Sequence, residues 1–127
     1  MPKKPTFVMR DRNFRPIGYP VAYHPLPWPR PDGKPDLILA LHRVSVGNVW
    51  CLSEPLSGAA LGVLEATYKG CPISSSYMTL TMARQQATAQ LDRRQDKMGS
   101  TAFFKVLDDA IARASTFPAA NPQPING

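Results

Sequence analysis

The sequence has few of the residues that small catalytic or metal-binding domains depend on. Only two cysteines, Cys51 and Cys71, and two histidines occur among its 127 residues. The cysteines form no CxxC pair, which excludes a disulfide-rich scaffold and a zinc motif of standard spacing. Two isolated thiols are typical of a reducing compartment, so we expect a cytoplasmic protein.

Long apolar runs and nucleotide-binding fingerprints are missing as well. No apolar run approaches the roughly 18 residues of a membrane span, so we expect no membrane association. The basic N-terminus is followed by Asp11, Arg12 and Arg15 instead of an apolar stretch, and we therefore expect no signal peptide. Glycine-rich phosphate loops are absent, so we expect no cofactor. The length fits one domain and excludes multi-domain enzymes.

Acidic residues are scarcer than basic ones, and the excess is unevenly placed. The chain has nine Asp and Glu residues and 15 Lys and Arg residues, which gives a net charge of +6. Residues 1–36 carry +4 of this charge, residues 37–75 carry none, and residues 76–117 carry +2. Basic surfaces favour an anionic partner, either nucleic acid or an acidic protein surface.

Proline is concentrated at the beginning of the chain. Residues 1–36 hold nine of the 14 prolines, and each proline removes an amide donor and keeps the preceding residue extended. We therefore predict a proline-rich basic arm over 1–36, a single domain over 37–117 and a flexible tail over 118–127. The interpretation that we favour packs the arm's aromatic residues on the domain's own core. In the alternative, they bind a partner's groove or stack on bases.

A β-hairpin over 37–53 is the clearest local pattern. Gly47-Asn48 is typical of a two-residue hairpin loop between two apolar runs. Pairing across this loop makes His42 and Cys51 diagonal neighbours on one face. Bulky residues lie on both faces of this hairpin, so we expect both to be covered.

The segment 54–82 allows more than one interpretation. Ser57 is a suitable N-cap for a helix that ends before Gly70, although a strand over 63–68 is the alternative. Residues 76–82 alternate as a strand does, but they could also open one long helix capped by the serines at 74–76.

Two helices are predicted after this segment. The first runs over 84–97, with Ala87 and Leu91 facing inward, and Met98-Gly99 ends it. Ser100 or Thr101 caps the second, whose apolar stripe comprises Phe103, Val106, Leu107, Ala110, Ile111 and Ala114. The predicted fold class is therefore α+β: a small antiparallel sheet built on hairpin 37–53, two C-terminal helices packed against it, and a proline-rich extended N-terminal arm.

The order of elements over 78–115 resembles the ribbon-helix-helix family of bacterial DNA-binding proteins. An alternating strand at 78–82, a helix with Arg93-Arg94, the turn 98–101 and a second apolar helix carry the resemblance. It implies a homodimer in which paired strands enter the major groove with Tyr77, Thr79 and Thr81 facing the bases. It also implies that amides near Ser100 and Thr101 hold a phosphate. The alternative is a plain α+β domain in which this strand joins the hairpin.

Catalysis has one candidate pair, Cys51 with His42. A cysteine-dependent enzyme would also need an orienting Asp or Asn and an oxyanion donor set, and the sequence pattern places neither. The adjacent acids Asp108 and Asp109 point in different directions on a helix, so we interpret them as a solvated face. We therefore expect a non-enzymatic protein, with the Cys51 enzyme kept as an alternative.

The function that we predict is that of a small bacterial accessory protein that binds nucleic acid through basic surfaces. The alternative is an inhibitor or adaptor that binds an acidic or nucleic-acid-binding protein surface. The candidate binding residues are Arg10, Arg12, Arg15, Trp28, Arg30, Arg84, Arg93, Arg94, Lys97, Ser100 and Thr101.

Overall fold

Antiparallel sheets followed by two helices form the fold, which confirms the α+β class. The computed structural model describes residues 4–116; the predicted tail, 118–127, lies outside them. The strands are β1 (Thr6–Arg10), β2 (Pro16–Ala22), β3 (His24–Trp28), β4 (Leu37–Arg43), β5 (Trp50–Glu54), β6 (Ala59–Val63), β7 (Thr67–Tyr68) and β8 (Cys71–Pro72). The helices are α1 (Leu80–Met98) and α2 (Ser100–Ala114). None of the described helices is long and apolar enough to cross a membrane.

A four-stranded antiparallel sheet in the order β3-β4-β5-β6 is the centre of the structure. Its first strand comes from the proline-rich segment predicted as an arm. Pro25 and Pro27 fit there because β3 is an edge strand, where a missing amide donor leaves the ladder with β4 intact. The predicted boundary at 36 therefore falls between two strands that are hydrogen-bonded neighbours.

The hairpin of β1 and β2 covers one face of this sheet. Phe7, Tyr23 and Ala40 form a small second core there. The Arg10 amide donates to the Gly58 carbonyl at 2.8 Å and joins the hairpin to the start of β6. The burial of Tyr23 and Trp28 agrees with the interpretation that the segment's aromatic residues pack on the domain's own core, whereas Tyr19 is 89% exposed.

The predicted hairpin 37–53 forms, but its predicted loop is wrong. Val44 donates to the Val49 carbonyl at 2.9 Å, so residues 45–48 make a four-residue loop and His42 lies directly opposite Cys51. The Arg43 guanidinium stabilises the wider loop because it donates to the Asn48 carbonyl. A shift by two residues leaves each side chain on its predicted face, and both faces of β4 and β5 are covered, as expected.

The helix predicted from Ser57 is wrong, and β6 occupies its place. The buried Glu54 carboxylate accepts from the amides of Leu56 and Ser57 at 3.0 and 2.6 Å, which closes a tight turn. Gly58 and Gly62 then have φ of 72° and 134°, values that no helix accommodates.

Residues 76–82 form no strand. A 3₁₀ helix, Ser75–Tyr77, is followed by extended backbone at Met78 and by α1. The cap of α1 is Thr79, whose hydroxyl accepts from the Met82 amide at 3.2 Å, and not the serine triplet. The resemblance assigns Tyr77, Thr79 and Thr81 to a strand, and the described residues form no strand there.

Both helices cover the face of the sheet opposite the β1–β2 hairpin. Ala83, Ala87 and Leu91 of α1 are buried in the main core, as predicted for the last two. In α2 the predicted stripe is wrong at Val106, which is 55% exposed. Phe104 is buried in addition: it belongs to the main core, and the Arg30 guanidinium lies 4.8 Å from the centre of its ring.

Candidate nucleic-acid interface

A stripe of long polar side chains on α1 lies beside the edge of β6. Gln90, Arg93, Arg94 and Lys97 follow the spacing i, i+3, i+4, i+7, which places them on one side of a helix. This side adjoins the buried face of Ala87 and Leu91. Because that buried face fixes the rotation of α1, it also fixes the direction of the stripe.

The stripe borders a groove of about 500 Å³ between α1 and β6. Arg93, Arg94 and Lys97 line it, together with one carboxylate, Glu65. Leucines form its apolar part: Leu52 and Leu91 are buried beneath it, and Leu61 is half-buried. Three of the predicted binding residues therefore meet in one concavity.

Side chains of α1 already bond to backbone groups along the outer edge of β6 and just after it. Gln90 donates to the Val63 carbonyl at 3.1 Å and accepts from the Glu65 amide at 2.9 Å. Arg94 donates to the Leu61 carbonyl at 2.7 Å. The groove therefore offers cationic and apolar side chains rather than an open strand edge.

The cations of the groove have few fixed partners. Arg93 pairs with Glu65 at 3.2 Å, and both side chains are more than half exposed, so the pair contributes about 0–1 kcal/mol and is easily exchanged. Arg94 keeps further N–H donors beyond its one backbone bond. The Lys97 side chain makes no hydrogen bond or ion pair to another residue within 4–116. All three can therefore meet an external anion.

Three other predicted binding residues are used within the fold. Arg30 donates to both oxygens of Asp108 at 2.8 Å and also pairs with Asp32, with its own side chain 5% exposed. These hydrogen bonds raise the pKa of Arg30 and lower the pKa of Asp32 to about 2. They also lower the pKa of Asp108, whose side chain stays 39% exposed, so Asp108 lies on a solvated face as predicted and also holds Arg30.

Arg10 and Trp28 are also internal. Arg10 is 5% exposed and donates to the Ala114 carbonyl at 3.2 Å, which fastens the end of α2 to β1. Trp28 is 6% exposed, and its indole donates to Gln95 at 2.9 Å. Neither side chain is accessible to a partner in this fold.

The remaining predicted residues lie apart from the groove, and all of them except the half-buried Ser100 are exposed. Arg12 and Arg15 flank the turn between β1 and β2, and Arg84 precedes Arg93 by two and a half turns of α1, which puts it on the other side of the helix. Ser100 does not cap α2. The N-cap residue is Gly99, which has no side chain to make a capping hydrogen bond. The Ser100 hydroxyl instead accepts from Gln95, while Thr101 is exposed on the first turn.

The Cys51 and His42 pair of the enzyme hypothesis lies between the sheet and the β1–β2 hairpin. His42 Nε2 lies 2.8 Å from the Ser53 hydroxyl, and His42 and Cys51 are 1% and 4% exposed. Burial raises the pKa of the Cys51 thiol and lowers the pKa of the His42 imidazole. A neutral thiol under a covering hairpin is a poor nucleophile, so this cluster contributes packing and hydrogen bonding.

The buried imidazole predicts that the fold is sensitive to acid. Because burial holds the pKa of His42 below its ordinary 6.5, the neutral form stabilises the fold above that value, and this stability is lost as pH falls through the lower folded pKa. Glu54 acts oppositely: burial raises its pKa, so its contribution is present below 4.5 and is lost as pH rises. We expect His42→Gln to gain stability relative to the unmodified protein below pH 6.5, as measured by urea unfolding across pH.

His24 provides the control for this measurement. Burial, Lys4 and Arg84 lower its pKa too, but it is less buried than His42, so His24→Gln should remove less of the acid sensitivity. Equal acid sensitivity in His42→Gln and the unmodified protein would contradict the role given to the buried imidazole.

Comparisons with known proteins add no relative. A scan of protein-family models, a search of curated proteins and a search of solved structures each found no match to this chain. The groove itself is therefore the feature that points to a function.

Sequence reasoning missed several residues that line this groove, among them Leu61, Glu65 and Gln90. The signal for Gln90 is its place in the i, i+3, i+4, i+7 stripe with the cations. No comparable signal exists for Leu61 and Glu65, because only β6 and the residues directly after it, where a helix is predicted, bring them to α1.

Proposed function

We propose that this protein is a non-enzymatic accessory protein that binds nucleic acid through the α1–β6 groove. The observation that carries the proposal is the convergence of Arg93, Arg94 and Lys97, three cations with replaceable or no internal partners, around one carboxylate. Guanidinium and ammonium groups bind phosphate oxygens by charge-assisted hydrogen bonds. With Arg10 and Arg30 engaged internally, this groove is the densest group of available cations among the candidate residues.

The resemblance to ribbon-helix-helix proteins contributes one part of this proposal. It implies sequence-independent contacts of the phosphate backbone with Arg84, Arg93, Arg94 and Lys97. The exposure of these side chains supports that role, and the last three line the groove. The base-reading strand is not carried over, because residues 78–82 open α1. The homodimer and the bacterial source stay predictions. The cytoplasmic location is also a prediction, and the free thiols Cys51 and Cys71 support it.

The test replaces the three cations of the groove together. We expect Arg93→Gln/Arg94→Gln/Lys97→Gln to weaken binding to a labelled oligonucleotide by at least about tenfold at moderate salt, because each lost phosphate contact removes counterion release. Fluorescence anisotropy measures the affinity, and a thermal melt checks folding.

A second triple variant removes the same charge elsewhere. Arg12→Gln/Arg15→Gln/Lys105→Gln changes three exposed cations outside the groove, so it should weaken binding much less, by about twofold. If both triple variants lose affinity equally, net charge rather than the groove determines binding, and the proposed site is wrong.

The inhibitor or adaptor is the second candidate function, and a different surface favours it. A groove of about 530 Å³ between β2 and the β4–β5 loop is lined by Met9, Ile17, Tyr19 and Val21. Exposed aromatic and aliphatic groups of this kind are typical of protein interfaces. The test is whether purified protein keeps a stoichiometric protein partner after nuclease treatment.

A further inference from the structure

We propose that the α1–β6 groove binds single-stranded rather than double-stranded nucleic acid; this inference rests on the proposed function. Phosphates would meet Arg93, Arg94 and Lys97, and an unpaired base would lie against Leu61. Three features of the groove support it: the apolar floor, the acidic face that borders the cations, and the closed edge of β6.

The apolar floor selects for exposed base faces. Leu61 is half-buried and packs partly against the main core, with its remaining surface in the groove. The outside of a duplex presents phosphates, sugars and base edges, while its base faces are stacked inside. An unpaired base has an apolar face free, and burial of that face against Leu61 gains free energy that a duplex cannot gain.

An acidic face borders the cations on the solvent side of α1. Asp92 and Asp96 are exposed and each lies one residue before a groove cation, about 100° around the helix from Arg93 and Lys97 respectively. The cationic strip is therefore narrow and lies between the groove and these carboxylates. A single strand can follow the strip, whereas the second strand of a duplex would place its phosphates near Asp92 and Asp96.

The length of the cationic strip also suits one strand. Arg93 and Lys97 are one helical turn apart, which is a rise of about 6 Å. That distance matches one or two consecutive phosphates of a single strand. Across the helix, Arg84 lies on another side and cannot serve as the second row that a duplex requires.

The closed edge of β6 argues against a peptide as the occupant. Gln90 and Arg94 bond to the carbonyls of Leu61 and Val63 and to the amide of Glu65, groups that an added strand would pair with. An acidic peptide would have to displace these bonds to add to the sheet. A nucleic-acid strand needs only the side-chain donors and the leucine floor, which are already accessible.

The experiment compares affinities for one sequence as DNA single strand, RNA single strand and DNA duplex, by fluorescence anisotropy at fixed salt. We expect the protein to bind at least one of the single strands about tenfold more tightly than the duplex, and the two single strands distinguish DNA from RNA as the ligand. An acidic, leucine-containing peptide serves as a competitor.

Leu61→Phe is expected to increase the affinity for a single strand, an effect that a misfolded variant would not produce. A ring at this position adds a stacking surface, so single-strand affinity should rise by about fivefold or more while duplex affinity stays unchanged. Leu56→Phe is the matched control, since Leu56 is an exposed leucine that does not line the groove, and it should change neither affinity.

The outcomes separate this inference from the proposed function. Duplex binding as tight as single-strand binding, or no gain in Leu61→Phe, overturns the single-strand inference while salt-dependent binding still supports the proposed function. Absence of binding to all three nucleic acids overturns both. Displacement of the bound strand by equimolar acidic peptide overturns the inference in favour of a protein partner.

Discussion

Replacement of Gly58 by alanine is expected to destabilise the fold by about 3 kcal/mol or more. Gly58 has φ of 72°, and a β-carbon there would overlap the Val8 carbonyl oxygen and lie 2.8 Å from Cγ of Arg10. Its own carbonyl accepts the Arg10 amide. Because backbone atoms of β1 meet it so closely, the clash can be relieved only if the β1–β2 hairpin moves off the sheet. Urea unfolding measures the loss.

Gly33→Ala is the matched control for this variant. Gly33 has a similar φ of 78°, but a β-carbon there meets nothing within 4 Å. Gly33→Ala should therefore reduce the stability of the fold by only about 1 kcal/mol, the cost of placing an alanine in the left-handed conformation. Equal losses at the two glycines would contradict the close docking of β1 on the turn before β6.

Trp28→Ala should remove about 3–5 kcal/mol of stability, as is usual for a large buried aromatic residue. Trp28 packs in the main core beside Leu39, and its indole nitrogen donates to Gln95. The sequence suggested a binding role for this residue, so the variant distinguishes a core role from a contact with a partner. Denaturant unfolding and oligonucleotide binding are to be measured on the same preparation.

Tyr19→Ala is the control, because Tyr19 is an aromatic residue of the same segment with 89% of its surface exposed. It should change stability by less than about 0.5 kcal/mol. If Trp28→Ala unfolds at the same urea concentration as the unmodified protein but loses affinity for nucleic acid, then Trp28 is a binding residue and the core described above is wrong.

Local patterns predicted the elements that depend on neighbouring residues. Alternation and a turn signal located hairpin 37–53 and its two faces, and helical spacing located α1 and its buried residues. The loop register was wrong because the Arg43 bond to Asn48 stabilises a wider loop. The β6 strand was missed because a buried carboxylate, Glu54, makes the turn before it, and capping of this kind has no periodic signal.

The candidate site was predicted in part, for a similar reason. Arg93, Arg94 and Lys97 lie close in sequence on one helix, so spacing alone brings them together. Arg10 and Arg30 were included because they are basic, yet their partners Ala114 and Asp108 are distant in the chain. Pairing over such separations is determined by tertiary packing, which charge counts do not reveal.

The salt dependence of single-strand binding tests the groove most directly. Three phosphate contacts predict that the logarithm of the association constant falls with the logarithm of salt concentration with a slope of about −2 between about 50 and 200 mM. The Arg93→Gln/Arg94→Gln/Lys97→Gln variant should show a slope near zero, while Arg12→Gln/Arg15→Gln/Lys105→Gln keeps a slope of about −2. An unchanged slope in the groove variant would contradict the proposal that this groove holds the phosphate backbone.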